Sequence, residues 1–446
     1  MIGAFPWDPF PPGEPDPKGP DPIHAIAFRA AVTAADAYHA VRLALRRESG
    51  TLRVGNRFVA DGRYREIAFV AAGNAANSMA LAALHAIGNR LTQGFLAGPE
   101  PVPAEIPFQG IAVPPGYPGT PEAQAVSDAA LEIARDLTEQ DLLLVLLSPG
   151  ALRALATPPA GLGPAEFEAL TRGAHERGAT GREVGLLARV LGTGAVGGRL
   201  AQATTRADVA TFVVERGDGA AVLGGGPTRA VDPAERTEAR AIVQRIGKAA
   251  AVPAEAWEVD AAGPLLPGGA APPRERVARP VVVASPSDAL QAAADAVFDK
   301  GWTSRLAFLQ LRESPEETAR RCLARSEDLF VAERITPESR TKGVATFSMA
   351  TLGLPEGVDE GPALGAFLTE AAGLLRRRET SVGLFRTSGE IGSPSFPPGA
   401  VIGAPTDPDA TVAPGRARAV RMRRGITDVG CLAMVAYPKP AETAGG

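Results

Sequence analysis

The chain has 446 residues, 45% of them hydrophobic, with a formal net charge of −4 and a pI near 5.8. That length leaves room for two to three domains with real cores and excludes a disordered chain, while the acidic balance argues against general nucleic-acid binding. Two cysteines, Cys322 and Cys431, and four scattered histidines exclude a disulfide scaffold, a thiolate metal site and a HExxH centre.

The first 21 residues are rich in proline, which forbids a regular helix or central strand. They lack the basic start and apolar core of a secretion signal, so a soluble cytoplasmic protein is expected. Phe5, Trp7 and Phe10 suit an extended arm docked on its own or a neighbouring subunit, and a floppy tail is the plainer alternative. No apolar run approaches the roughly 18 residues of a membrane span. The longest clean one is Leu142–Leu147.

From Pro22 to Arg47, apolar residues at Ile26, Ala30, Ala34, Ala37 and Val41 fall near helical spacing and predict one long helix. A strand at Ile67–Val70, a helix from Asn74 to about Ile87 and a strand near Gly94–Ala97 follow. Next come a helix at Glu122–Leu137, the strand Leu142–Leu147, and helices at Pro164–Arg177 and Arg182–Leu191. A strand at Val209–Val214 and a helix at Pro233–Ile246 complete the set. This alternation predicts a Rossmann-like α/β domain over 22–260, its largely parallel sheet covered by helices on both faces.

Ala261–Pro280 is rich in Pro and Gly and reads as a linker. Val281–Ser285 is then expected as the strand opening a second domain, 281–446, followed by a helix at Ser287–Phe298. Strands at Leu306–Leu311, Val344–Leu352, Ser381–Phe385 and Leu432–Tyr437 and helices at Pro315–Ala324 and Gly361–Leu375 fill it. The expected architecture is therefore α/β in two domains, the second smaller and mixed, with a cleft between them.

One stretch of the first domain carries chemistry. "FVAAGNAANSMALAAL", Phe69–Leu84, joins a strand, a glycine and a helix start, a geometry that offers backbone N–H groups to an anion. The residue after Gly73 is the neutral Asn74, where a phosphate turn ordinarily adds a cation. Asn74 is a candidate ligand contact, and asparagine at such a position also serves simply as a helix cap.

The order of landmarks resembles the glycerate 2-kinase family, two-domain kinases whose C-terminal part is called the MOFRL domain. The similarity runs through "GYPGTPEAQ" from Gly116, "LTEQDLLLVLLSPG" ending at Gly150, and "ALTRGAHERGAT" followed by "GGRLA" at Gly197. It continues in "GGGPT", Gly224–Thr228, and "ASPSDALQAAADA" from Ala284. The resemblance implies a kinase that phosphorylates glycerate with ATP and a divalent cation in the cleft between its domains. Such chemistry needs cations on the phosphate oxygens and carboxylates on the metal.

The resemblance also implies where those groups should stand, and this sequence departs there. The family's lysine is Asn74, and its triple-glycine loop reads Ser148, Pro149, Gly150, Ala151. Its Asn-x-x-Arg-Lys-His helix reads Gly185, Ala188, Arg189 and Val190, leaving a displaced charge. Its Ser-Asp pair is Val214 and Glu215, although Gly217 and Asp218 persist. In the second domain a Gly-Asp-Asn turn becomes Ala284, Ser285 and Pro286, and a Gly-Gly-Arg-Asn-Gln-Glu helix start becomes "GPALGA" from Gly361. Three aspartates of an acidic loop become Gly389, Gly392 and Phe396, with only Glu390 left to offer a carboxylate.

Losing one well-placed charge stabiliser costs on the order of 10²–10³ in rate, and here several are replaced together. The expectation is a catalytically impaired homologue serving as a binding, scaffolding or regulatory subunit, with no cofactor. ATP and Mg enter only if an alternative holds, a kinase with a relocated site on Arg189, Glu215, Asp218 and Glu390. Different chemistry on an uncharged ligand in the same cleft is a further alternative. Phosphate or ligand contacts fall to Gly73, Asn74, Ser148, Gly150, Arg189, Gly225, Gly226 and Thr228, the last three serving otherwise as a tight loop. Glu215 with Asp218, and Glu390, are the candidate metal carboxylates. A protein partner, in a homo-oligomer or hetero-complex, would meet the arm or the basic run Arg416, Arg418, Arg421, Arg423 and Arg424, which otherwise reads as a solvated face.

Overall fold

The computed structural model describes residues 22–204, 206–216, 225–247, 252–253, 256–257, 276–336, 339–354, 361–375, 380–386, 399–403, 418–420 and 431–439. Within them the helix expected to reach Arg47 divides. It runs Pro22–Ala34, restarts over Ala37–Ala44, and gives way to an antiparallel set, β1 (Leu45–Glu48), β2 (Thr51–Val54) and β3 (Arg57–Ala60). Asp36 makes the break, because its carboxylate accepts the Tyr38 N–H at 2.8 Å and caps a new helix. Ser49 and Gly50 then take φ of 49° and 79°, two left-handed residues in succession, the hairpin turn that matches strand twist.

The apolar runs Ile67–Ala72 and Leu142–Leu147 next form strands buried on both faces, while the edge strand Gln109–Ala112 is largely exposed. β4 (Ile67–Ala72), β5 (Leu91–Gly98), β6 (Gln109–Ala112) and β7 (Leu142–Leu147) precede a short ribbon of β8 (Ala156–Thr157) and β9 (Thr193–Gly194). β10 (Asp208–Val214) and β11 (Val281–Ala284) complete the sheet, in the order β11-β10-β7-β4-β5-β6, with every neighbouring pair parallel.

β11 corrects an expectation. Val281–Ser285 was to open the second domain, yet Val281 pairs with Phe212 and the strand closes the edge of the first sheet. The residues before it join in: Val209 N–H donates to Arg276 O and Ala278 N–H to Val209 O, both at 2.9 Å. The end of the expected linker thus already lies along β10. An apolar run shows that a strand forms, and does not show which sheet takes it.

The second sheet holds β12 (Thr303–Leu311), β13 (Gly343–Ala350), β14 (Ser381–Arg386), β15 (Gly399–Gly403), β16 (Arg418–Val420) and β17 (Cys431–Pro438). Its order is β12-β13-β17-β14-β15-β16, and only β12 and β13 run parallel, so it is mixed. One core joins the two sheets. Phe69, Leu144 and Phe212 of the parallel sheet share a cluster with Leu290 and Val297 of the helix Pro286–Phe298 and with Phe347 and Met434 of the mixed sheet. Among the described residues no helix is long and apolar enough to cross a membrane.

The N-terminal helix is tied into the second sheet by a buried histidine. His24 Nε2 lies 2.9 Å from Ser381 Oγ, and the Phe28 and Phe385 rings stack at 4.9 Å. Burial pushes the His24 pKa from 6.5 down to about 3. The folded state therefore holds the neutral ring, and the unfolded chain takes up the proton first on acidification. The stability tied to that neutral ring is complete above pH 6.5 and is lost progressively as the pH falls toward 3. Between pH 7 and pH 5 the expected loss is about 2 kcal/mol. Chemical denaturation of the wild type and His24→Gln at both pH values reads it as a gap that closes on acidification. Parallel pH profiles for the two proteins would contradict the assignment.

Candidate functional site

Strand register assembles the site. Ala72, Leu147 and Val213 are neighbours across β4, β7 and β10, and Val214 lies beside Ala284. The turns that follow, at Gly73, Ser148, Glu215 and Ser285, therefore line one carboxyl edge of the parallel sheet. Strand order reverses between β4 and β7, and open α/β sheets bind ligands at such a switch point.

The backbone donors of the first turn are already engaged. Gly73 N–H donates to Ala97 O at 2.9 Å, Asn74 N–H to Pro149 O at 2.8 Å, Ala75 N–H to Ser148 Oγ at 2.9 Å and Ala76 N–H to Gly73 O at 3.1 Å. On the facing turn Ser148 N–H meets Ala72 O at 3.0 Å and Ala151 N–H meets Ser148 O at 3.1 Å, and Pro149 has no N–H to give. The two turns touch directly. Gly73 has φ of 108°, and a Cβ placed on it would stand 2.1 Å from Ser148 O.

Asn74 is buried beneath this contact. A Cβ on Gly150 would stand 3.0 Å from Asn74 Oδ1 and 3.4 Å from Arg153 Nη2, so amide and guanidinium converge on that glycine. Arg153, in the helix Ala151–Leu155, is 1% exposed and donates to Val113 O at 3.3 Å. Sequence reasoning passed over Arg153. Its signal was a lone arginine inside the apolar "ALRAL". Arg216, two residues past β10, was also missed; it is buried, and its carbonyl accepts from Gln310 of β12 at 3.4 Å.

The other candidates take structural places. Arg189 is enclosed, paired with Glu235, and donates to Arg229 O at 3.2 Å and Ala230 O at 3.1 Å. Gly225, Gly226 and Thr228 lie in one short helix, Gly225–Thr228. Gly226 O accepts from Gly198 N–H at 3.0 Å, and Thr228 Oγ1 accepts from Thr211 Oγ1 at 3.1 Å. Ser285 caps the helix Pro286–Phe298 in a closed box with Asp288, whose carboxylate takes both the Ser285 N–H at 2.9 Å and its hydroxyl at 2.7 Å. A carboxylate thus already occupies that helix start.

Glu215 is half-buried and its N–H donates to Ala284 O at 2.8 Å. Among the described residues no group of three His, Cys, Asp or Glu could hold a metal ion. Asp218, Glu390, Phe5, Trp7, Phe10, Arg416, Arg421, Arg423 and Arg424 lie outside the described residues, and Arg418 begins β16.

A family model described as a domain of unknown function, DUF4147, matches residues 24–259. An Agrobacterium vitis protein that carries the name hydroxypyruvate reductase is 36% identical over 182 residues, which are 40% of this chain and 45% of that one. A glycerate kinase of Danio rerio is 30% identical over 219 residues, 45% of this chain and 43% of its own. The chain thus spans less than half the length of the curated relatives it matches. The crystal structure of a Thermotoga maritima glycerate kinase superposes with a TM-score of 0.66 over 93% of this chain and 98% of that one, at 18% identity. That last match carries the fold alone.

Proposed function

Because the chain belongs to the DUF4147 family and is a homologue of glycerate kinases, we propose that it keeps their fold without an assembled phosphoryl-transfer site and acts as a cytoplasmic binding, scaffolding or regulatory subunit. One observation carries the proposal. The consecutive N–H groups of Gly73 to Ala76, at the switch point where a phosphate would sit, are all engaged inside the protein. A triphosphate placed there would have to break those bonds, and it would find Asn74 in place of a cation. Arg153 cannot substitute, since its guanidinium is enclosed beneath the turn.

A kinase site relocated to Arg189 would need that guanidinium to face substrate, and Glu235 with two carbonyls holds it. The partner surface in this reading is the aromatic arm of Phe5, Trp7 and Phe10 or the basic run from Arg416 to Arg424. Aromatic anchors and charge-assisted contacts are the usual carriers of association. A coupled assay of ADP release with Mg·ATP and glycerate tests the catalytic half. The expected rate equals the glycerate-free background for both the wild type and Asn74→Lys. Glycerate-dependent turnover on the order of 1 s⁻¹, an ordinary enzyme rate, would overturn the proposal.

A further inference from the structure

At the opposite, amino-terminal edge of the parallel sheet lies a cavity of about 170 Å³. It opens between β10 and β11 on one side and the β2–β3 hairpin on the other. Its apolar walls are Val54, Leu142, Phe212 and Val281. A space of this size, walled by such side chains, accommodates a molecule about as large as benzene.

The polar groups around it have a definite sign. Asp208, beside the floor, accepts the Tyr64 hydroxyl at 3.0 Å and faces Arg63 at 3.9 Å. Burial, with the Asp208 charge second, pushes the Tyr64 phenol up to about 12, so it stays a donor to that carboxylate. Asp208, the one acid among the described residues that line the cavity, is thereby occupied. Arg57 and Arg279 stand exposed on the rim, and among the described residues Arg279 has no ion-pair partner. An apolar chamber under two guanidinium groups fits a small acid whose charge stays at the mouth.

We propose that this cavity binds a small monocarboxylate with a compact apolar body, its acid group held by Arg57 and Arg279 and its body seated against Val54, Leu142, Phe212 and Val281. Guanidinium and carboxylate form charge-assisted, often bidentate bonds, and water-exposed rims let the acid keep part of its hydration. A bound acid would also clamp the crossing segment. Arg279 and Val281 belong to the stretch that lies along β10 through the Ala278 N–H to Val209 O bond of 2.9 Å, so occupancy would tie the passage between the sheets to the first sheet. The site is separate from the switch-point edge and stands whether or not that edge is catalytic.

The test uses three ring compounds of one size and different charge on the full chain. Benzoate, benzyl alcohol and benzylamine are titrated calorimetrically, with hydrogen exchange followed over residues 276–284. Benzoate is expected to bind saturably with a dissociation constant on the order of 1 mM or tighter, and to slow exchange of that segment. Benzyl alcohol should bind at least about tenfold more weakly, as should benzoate to the Arg57→Ala/Arg279→Ala double variant, because a charge-assisted bond is worth that much. Both arginines are exposed, so the variant keeps its packing. Absent benzoate binding, equal affinity for the alcohol, a preference for benzylamine through Asp208, or full benzoate affinity in the double variant would each overturn the assignment.

Discussion

Replacing Glu235 with alanine is expected to cost the fold about 3–5 kcal/mol, the effect of stranding a buried charge. The Arg189 side chain is 0% exposed and Glu235 is its acid partner. Burial already pushes the Arg189 pKa below its ordinary value, with Glu235 opposing that shift. Without the carboxylate, the guanidinium would keep only the Arg229 and Ala230 carbonyls. Arg229, which donates to Glu235 at 2.5 Å, would then add a nearby like charge held only by Asp232 at 3.3 Å. Glu235 also closes the cap of the helix Pro233–Arg245 with Asp232, which adds to the loss. Urea denaturation should show a large drop in midpoint. Combining Arg189→Met with Glu235→Leu removes both charges and should recover a good part of it. A single variant as stable as the wild type would contradict the reading of Arg189 as a structural cation.

Gly73→Ala is expected to destabilise by about 3 kcal/mol, the sum of left-handed strain and overpacking. The added methyl would stand 2.1 Å from Ser148 O and 2.6 Å from Ser148 Oγ. The two turns must separate to admit it, and the Asn74 N–H to Pro149 O and Ala75 N–H to Ser148 Oγ bonds would weaken together. The same variant reports on the site: amide exchange of Asn74 and Ala75 should accelerate more than that of β5. A loss under about 1 kcal/mol, with unchanged exchange, would mean that the turns do not rest on each other.

Strands with strong composition were legible in the sequence. Leu142–Leu147 appears with the bounds read from its apolar run, because a strand buried on both faces needs every residue apolar. The hairpins β1 to β3 were not, since "LRRESG" carries charge without a period of two. Their signal lay in Ser49-Gly50 and in Asp36, which stops one helix to start another. The membership of β11 was hidden for a topological reason, as the run itself is indifferent to its neighbours.

At the site, the residue types of the turns were legible and the way the turns meet was not. Asn74 stood out as a missing cation, yet the engaged N–H groups follow from how two turns meet across β4 and β7. Arg153 was hidden because a lone charge inside the apolar "ALRAL" has no spacing that marks a function. Arg189 looked like a displaced phosphate ligand until its partner, Glu235, appeared 46 residues away in the chain.

Calorimetric titration of the full chain with Mg·ATP decides whether the switch-point edge receives a nucleoside triphosphate, which the proposed function denies. No saturable heat is predicted at ligand concentrations up to about 1 mM, since binding would displace hydrogen bonds the fold already makes without a cation in return. A saturable isotherm within that range, strengthened in Asn74→Lys, would contradict the account.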